Sequence, residues 1–271
     1  MGSFDGKVVY ITGIARGQGR NHAVRFAREG ASIVGLDIAG PVAEHTTYPA
    51  AGPDDLAETE RLVKAEGGEI LARQVDIRDL AAQEQLVADG VERFGGLHGV
   101  VANAGILTWG LSWELTEDQF TDVIDVNLTG TWKTLRATIP ALLATEGPGS
   151  IVIISSVAGL KAMPVQASYS ASKFGLTGLA QTVAKELAPR HIRVNSVHPY
   201  AVNTPMGVGD SAAMNVFSNM PEYTRHFISM LDDYPVASLD EVSDAVLFLA
   251  SDAARAITGS VFQLDMGHSK V

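Results

Sequence analysis

The spacing of apolar residues changes period repeatedly along the chain. Short β-branched runs occur at "KVVYITG" (7–13), "SIVGLD" (32–37), "EILARQVD" (69–76), "GVVANAG" (99–105), "SIVIISS" (150–156), "IRVNSVHP" (192–199) and "SVFQLD" (260–265). These runs are apolar on both faces, which predicts parallel strands covered by helices on each side. Between them, segments such as "GRNHAVRFAREG" (19–30), "ASKFGLTGLAQTVAKELAP" (171–189) and "LDEVSDAVLFLAS" (239–251) carry the three- and four-residue spacing of amphipathic helices. Alternation along the whole chain predicts one doubly wound α/β domain over residues 1–271, with a central seven-stranded parallel sheet flanked by helices. No short-period repeat or Pro-, Gly- or Ser-rich linker interrupts it.

Composition narrows the classes of function. With 31 acidic against 20 basic residues the formal charge is −11, which argues against a nucleic-acid partner. Cysteine is absent, so disulfides, thiolate catalysis and cysteine-ligated zinc are excluded, and no metal site is expected. No apolar run approaches the roughly 20 residues needed to span a bilayer. The opening "MGSFDGKVVYITG" enters a strand at once, leaving no room for a signal peptide. These features predict a soluble cytoplasmic protein with no membrane partner.

Candidate chemistry begins at the first strand–helix junction. "YITGIARGQGRNHA" places Gly13, Gly17 and Gly19 where glycines allow a tight turn and let backbone N–H groups approach a pyrophosphate at a helix N-terminus. A glycine triplet alone is weak evidence, and its placement carries the weight. Asp37 then ends the second strand, where a carboxylate can accept both ribose hydroxyls of an adenosine and repel a 2′-phosphate. Arg16 points the other way, since a base there could pair with a 2′-phosphate. Repulsion at the ribose is the harder effect to evade, which favours NAD over NADP. As a bare residue, Asp37 could also be an ordinary turn acid.

"SYSASKFG" sets Tyr169 and Lys173 four apart, on one helix face. A phenol titrates near pH ~10 and is a poor base at neutrality, but a nearby ammonium favours the phenolate. Tyr-x-x-x-Lys is common by chance and is usually a solvated pair. Here it follows Ser156 by thirteen residues, and Ser156 ends an apolar strand where substrate chemistry belongs in this architecture.

Taken together with "TGIARGQG", Asp76 after the third strand, "NAG" at 103–105, "NLTG" with Asn127 and "PYAVNTPM" at 199–206, the chain resembles the short-chain dehydrogenase/reductase family over its full length. The resemblance implies a Rossmann-type domain and a catalytic tetrad of Asn127, Ser156, Tyr169 and Lys173. In it Ser156 would bind the substrate oxygen and Tyr169 would exchange its proton. Lys173 would hold the nicotinamide ribose and depress the Tyr169 pKa, and Asn127 would position a water linking Lys173 to solvent. Implied cofactor contacts are Gly13, Arg16, Gly17, Gln18, Gly19, Asp37 and Ile38 around the first two strands. Asp76 and Ile77 would hold the adenine, and Asn103, Ala104 and Gly105 would line the crevice. Pro199, Val202, Thr204 and Met206 would meet the nicotinamide side, with Tyr169 and Lys173. One departure stands out: Tyr200 follows Pro199, where the family usually has glycine.

About eighteen residues, "IAGPVAEHTTYPAAGPDD", separate Asp37 from the next helix, for which Asp55 is a candidate N-cap with Glu58 as its capping-box partner. A loop of this length is usually functional or disordered. With "GQGRNHAVRFAREGA" and "PYAVNTPM", the 38–54 insertion resembles the carveol-dehydrogenase-like subgroup, many members of which are linked to the redox cofactor mycofactocin. That implies a flap over non-exchangeable NAD and an external electron acceptor. A surface elaboration or an oligomer contact is the plainer reading. Residues 207–235 form the segment expected to cover substrate. Met214, Phe217, Met220, Tyr223, Phe227, Met230 and Leu231 recur there at helical spacing, with Trp109 and Met163 expected near the same crevice. No Lys or Arg cluster offers itself for an anion, which predicts a small apolar alcohol or ketone, such as a cyclic terpenoid. The family also implies a homotetramer. Two other functions fit the pattern less well. A non-catalytic NAD-binding sensor or scaffold would not need the full tetrad, and a sugar-nucleotide epimerase or dehydratase generally has a longer C-terminal substrate region.

Overall fold

In a computed structural model describing residues 2–231 and 233–271, seven parallel strands form one sheet in the order β3-β2-β1-β4-β5-β6-β7. They are β1 (Val8–Thr12), β2 (Ser32–Asp37), β3 (Ile70–Gln74), β4 (Gly99–Ala102), β5 (Gly149–Ile154), β6 (Ile192–Pro199) and β7 (Val261–Leu264). Every residue of β1, β4 and β5 is buried, as their two-sided apolar runs require. Strand order reverses between β1 and β4, and that switch point opens a crevice at the carboxyl ends of the strands.

The helices are α1 (Gly17–Arg28), α2 (Pro53–Ala65), α3 (Leu80–Phe94), α4 (Glu117–Ile124), α5 (Thr131–Ala144), α6 (Ala167–Leu187), α7 (Pro205–Val208), α8 (Ser211–Asn219), α9 (Pro221–Thr224) and α10 (Leu239–Ala250). One core joins Tyr10, Leu86, Leu135, Ile153 and Leu176 on one side of the sheet, and another joins Ile11, Phe26, Ile33, Val152 and Leu249 on the other. No helix among the described residues is long and apolar enough to cross a membrane.

Several boundaries differ from the expected ones for local reasons. The fourth strand stops at Ala102, because Asn103 turns its amide back to donate to the Thr12 carbonyl at 2.9 Å. Helix α6 begins at Ala167 rather than 171, so Tyr169 lies in its first turn. Asp55 is not the N-cap of α2. The helix starts at Pro53 after Gly52, and the Asp55 carboxylate reaches back to accept from the Gly52 N–H at 2.9 Å. Glu58 instead pairs with Arg61. The 207–235 segment does not form one continuous stripe: Pro221 restarts the chain as α9, and Met214, Met230 and Leu231 are exposed.

Candidate active site

Two adjoining cavities fill the crevice, and Gln18, Thr204 and Met206 line both. Gly13, Arg16, Gly17, Asp37, Ile38, Asp76, Ile77, Asn103, Ala104 and Gly105, all predicted from the sequence, line the first. Gly13 and Gly17 have φ of 76° and 57°, a left-handed backbone that side-chain-bearing residues rarely adopt. Gly19 lines neither cavity. A Cβ there would sit 2.0 Å from the Gly13 carbonyl oxygen, so this glycine serves the close approach of α1 to the β1 turn.

The acids on this wall are more engaged than expected. Asp37 accepts from Ala15 N at 2.9 Å with one oxygen and from Ala39 N at 2.8 Å with the other. Asp76 is held by Arg78, whose Nε and guanidinium NH2 groups donate to it at 3.0 and 2.7 Å. Burial alone would raise the Asp76 pKa, but the Arg78 hydrogen bonds and charge hold it below the usual range. Arg16 donates to the Pro49 carbonyl of the insertion, so part of its guanidinium is already engaged.

The insertion crosses the mouth of this cavity. Gly40, Val42, Thr46, Tyr48, Ala50 and Ala51 line it, although only the strand-end Ile38 was predicted from this stretch. The Leu107 N–H donates to the Tyr48 hydroxyl at 3.4 Å, and Gln74 donates to the Ile38 carbonyl at 3.0 Å. Asp210, 1% exposed, ties the far side. It accepts from the Thr47 hydroxyl, from Trp109 Nε1 at 3.1 Å and from Ala212 N at 2.9 Å. One buried carboxylate therefore joins the insertion to the 207–235 segment. Nothing in the spacing of Asp210 marks it for this role.

The second cavity holds Ser156 and Tyr169 among Trp109, Met163, Tyr200, Phe217 and Phe227, with Pro199 and Val202 also on its wall. No charged residue lines it among the described residues. Ser156 Oγ accepts from Ala158 N at 3.1 Å and lies 3.4 Å from the Pro199 carbonyl. The fully buried His198 bonds the Ser156 carbonyl at 2.8 Å.

Lys173 and Asn127 stand behind these walls, lining neither cavity. Lys173 Nζ donates to the Ile154 carbonyl at 2.9 Å, 5.4 Å from the centre of the Tyr169 ring. Asn127 donates to the Ile106 carbonyl and to Ser172 Oγ and accepts from Ile106 N at 2.7 Å. It sits in a π-helical turn, Asp125–Gly130, between α4 and α5. Such wide turns favour functional positions, and the sequence pattern gives no sign of this one. Gly105 is the partition. A Cβ there would come within 3.1 Å of Asn127 Oδ1 and 3.7 Å of Lys173 Nζ.

Burial dominates the electrostatics. It pushes the Tyr169 phenol up to about 12 against the opposing Ser156 hydrogen bond, and the expected lowering by Lys173 is not seen in this structure. Burial likewise brings the Lys173 ammonium down to about 7.

A family model described as Enoyl-(Acyl carrier protein) reductase matches residues 13–269. The chain belongs to the short-chain dehydrogenase/reductase family. Within that family it is 53% identical to an uncharacterised NAD-dependent oxidoreductase of Mycobacterium tuberculosis, covering 99% of this chain and 98% of the relative. It is 39% identical to the (-)-trans-carveol dehydrogenase of Rhodococcus erythropolis, covering 98% and 99%. The crystal structure of carveol dehydrogenase from Mycobacterium avium in complex with NAD superimposes with a TM-score of 0.95 at 42% identity, covering 100% of both chains.

Proposed function

We propose that this family member is an NAD-dependent alcohol dehydrogenase that interconverts an apolar, carveol-like secondary alcohol and its ketone. The observation that carries the reading is the junction of the two cavities. A glycine-walled cleft carrying Arg16, Asp37 and Asp76 opens beside an uncharged pocket lined by Ser156 and Tyr169. The first cavity fits a dinucleotide. Its glycines keep the backbone bare, Asp37 stands at the ribose end, and the buried Gln18 Oε1 has no hydrogen-bond partner where the cavities meet. When bound, NAD supplies the two-electron acceptor for the carbinol hydrogen. Phosphates would lie against Gly13–Gly19, the adenosine against Asp37 and Ile77, and the nicotinamide end against Thr204 and Met206.

The chain's own groups manage the proton. Ser156 Oγ orients the substrate oxygen, and Tyr169 takes its proton during oxidation or returns it during reduction. A positive Lys173 favours the phenolate, while Asn127 holds the helix turn that backs it. Trp109, Phe217 and Phe227 exclude water and present apolar surface to a ring. NAD is favoured over NADP because Asp37 repels a 2′-phosphate and Arg16 is engaged by Pro49.

The same reading makes the 38–54 insertion a strap that retains NAD between turnovers, with a mycofactocin-type external acceptor taking the electrons. Its contacts through Arg16, Tyr48 and Asp210 support this. Protein purified without added nucleotide is expected to release stoichiometric NAD on denaturation and to oxidise neutral ring alcohols with an artificial acceptor. Protein that holds no dinucleotide would remove the strap. Faster turnover of charged hydroxy acids would remove the apolar substrate.

Assembly as a homotetramer belongs to the reading too. Trp132 on α5 and Phe174 on α6 are 46% and 44% exposed and offer apolar surface that a neighbouring copy would cover. Light scattering should give four times 28.6 kDa, and a 28.6 kDa particle would exclude assembly.

A further inference from the structure

Tyr200, the residue that departs from the family's glycine, has a defined place in the alcohol pocket. Its side chain lines the cavity, and its hydroxyl donates to the Phe227 carbonyl at 2.6 Å. Its ring stacks on His268 with centroids 3.9 Å apart and planes 10° from parallel. His268 comes from the last residues of the chain and is fully buried. Its Nδ1 pairs with the next carbonyl, that of Ile228, at 2.5 Å, and its Nε2 lies 3.4 Å from Met163 Sδ. Two stacked rings thus bind two consecutive carbonyls of the substrate-covering segment. The first of these residues, Phe227, packs its own ring on Trp109 at 5.6 Å and on Phe217 at 5.3 Å.

We propose that Tyr200, backed by His268, is a specificity-determining residue that fixes the aromatic wall of the alcohol pocket and selects compact single-ring alcohols over larger ones. The argument rests on the proposed alcohol chemistry for its substrate and on geometry for its mechanism. The segment that carries Phe227 has few other ties: α9 has four residues, Ile228, Met230 and Leu231 are exposed, and beyond Ile228 the Met230 and Leu231 N–H groups donate to the Met266 carbonyl at 3.0 and 3.2 Å. Burial pushes the Tyr200 phenol up to about 12, so it remains a hydrogen-bond donor through the physiological range. A glycine at 200 would free both the space the ring fills and the Phe227 carbonyl it holds.

The test compares wild type with Tyr200→Gly, Tyr200→Phe and His268→Ala, using cyclohexanol and the two-ring decahydro-2-naphthol as probes. Tyr200→Gly is expected to raise KM for cyclohexanol about tenfold with kcat little changed, and to shift preference about 10- to 100-fold toward the larger alcohol. Tyr200→Phe keeps the stack and loses only the hydroxyl. It should shift preference less, and should speed amide hydrogen exchange at 225–231 about tenfold, the size of one net hydrogen bond. His268→Ala should move size preference in the same direction as Tyr200→Gly. Unchanged size preference in both Tyr200 variants, with turnover retained, overturns the proposal. If wild type neither turns over these alcohols nor shows Trp109 quenching by them, the alcohol dehydrogenase reading fails instead. Exchange in Tyr200→Phe then decides the inference alone: unchanged protection at 225–231 overturns it.

Discussion

Replacing Tyr169 by Phe is expected to lower turnover of a neutral ring alcohol by about 10²- to 10⁴-fold, the usual share of a positioned proton-transfer group. NAD content should stay that of wild type. The Tyr169 hydroxyl makes no contact that holds the cofactor cavity together, and the phenyl ring preserves the packing of the first turn of α6. The size of the effect follows from the pocket's composition. Ser156 and Tyr169 are the hydroxyls at its reacting end, Gln166 offers only an amide, and no His, Asp, Glu or Lys lines it among the described residues. Tyr200, the other phenol on the wall, is committed to the Phe227 carbonyl, so no free acid–base group there can take over. The pH profile carries a further sign. Burial holds the phenol at about 12, so alcohol oxidation should speed up as pH rises, as long as the phenolate is the base. Loss of the Lys173 proton at about 7 opposes part of that gain. A Tyr169→Phe variant within tenfold of wild type, measured at matched NAD content, would place the proton transfer elsewhere.

The second large effect is expected at Asp210, remote from the reacting atoms. Asp210→Ala removes the buried carboxylate that accepts from the part-buried Thr47 hydroxyl and Trp109 indole. A hydrogen bond to a charged group is worth about 1.5–3 kcal/mol, so NAD release should quicken by roughly 10- to 100-fold. The variant should emerge from gel filtration largely free of NAD, and added NAD should restore turnover. Asp210 also caps α8 through Ala212 N. Asp210→Asn keeps that cap and an acceptor oxygen, and should retain more cofactor than the alanine variant. Full NAD retention by both variants after prolonged dialysis would mean that the insertion does not hold the cofactor through this contact.

Residues predicted from sequence and residues found in the cavities overlap most where the signal is local. The β1–α1 glycine turn and the acid ending β2 are each contained in one short segment, so spacing alone describes them. Tyr169 and Lys173 fall on one helix face because about 3.6 residues make a turn. Met214, Met230 and Leu231 show the opposite. Their periodicity is real, but Met214 lies on the outer face of α8 and the chain restarts at Pro221 before Met230 and Leu231, leaving Phe217 and Phe227 to line the pocket. Tyr48 lacked any signal beyond being a lone aromatic in a polar loop.

By itself, the sequence determined the alternation of strand and helix, the parallel sheet and the residues proposed to carry proton transfer, because each depends on neighbours a few positions apart. Only the tertiary structure decided where the insertion lies, that Asp210 ties it down, and that His268, from the other end of the chain, stacks behind Tyr200. It also decided that Gly105 screens Lys173 and Asn127 from the cavities, and that a π-helical turn aims Asn127. The physical reason is the same in each case. These contacts join segments separated by tens to hundreds of residues, and their energy lies in burial and hydrogen-bond satisfaction at one point in space, which leaves no periodicity along the chain.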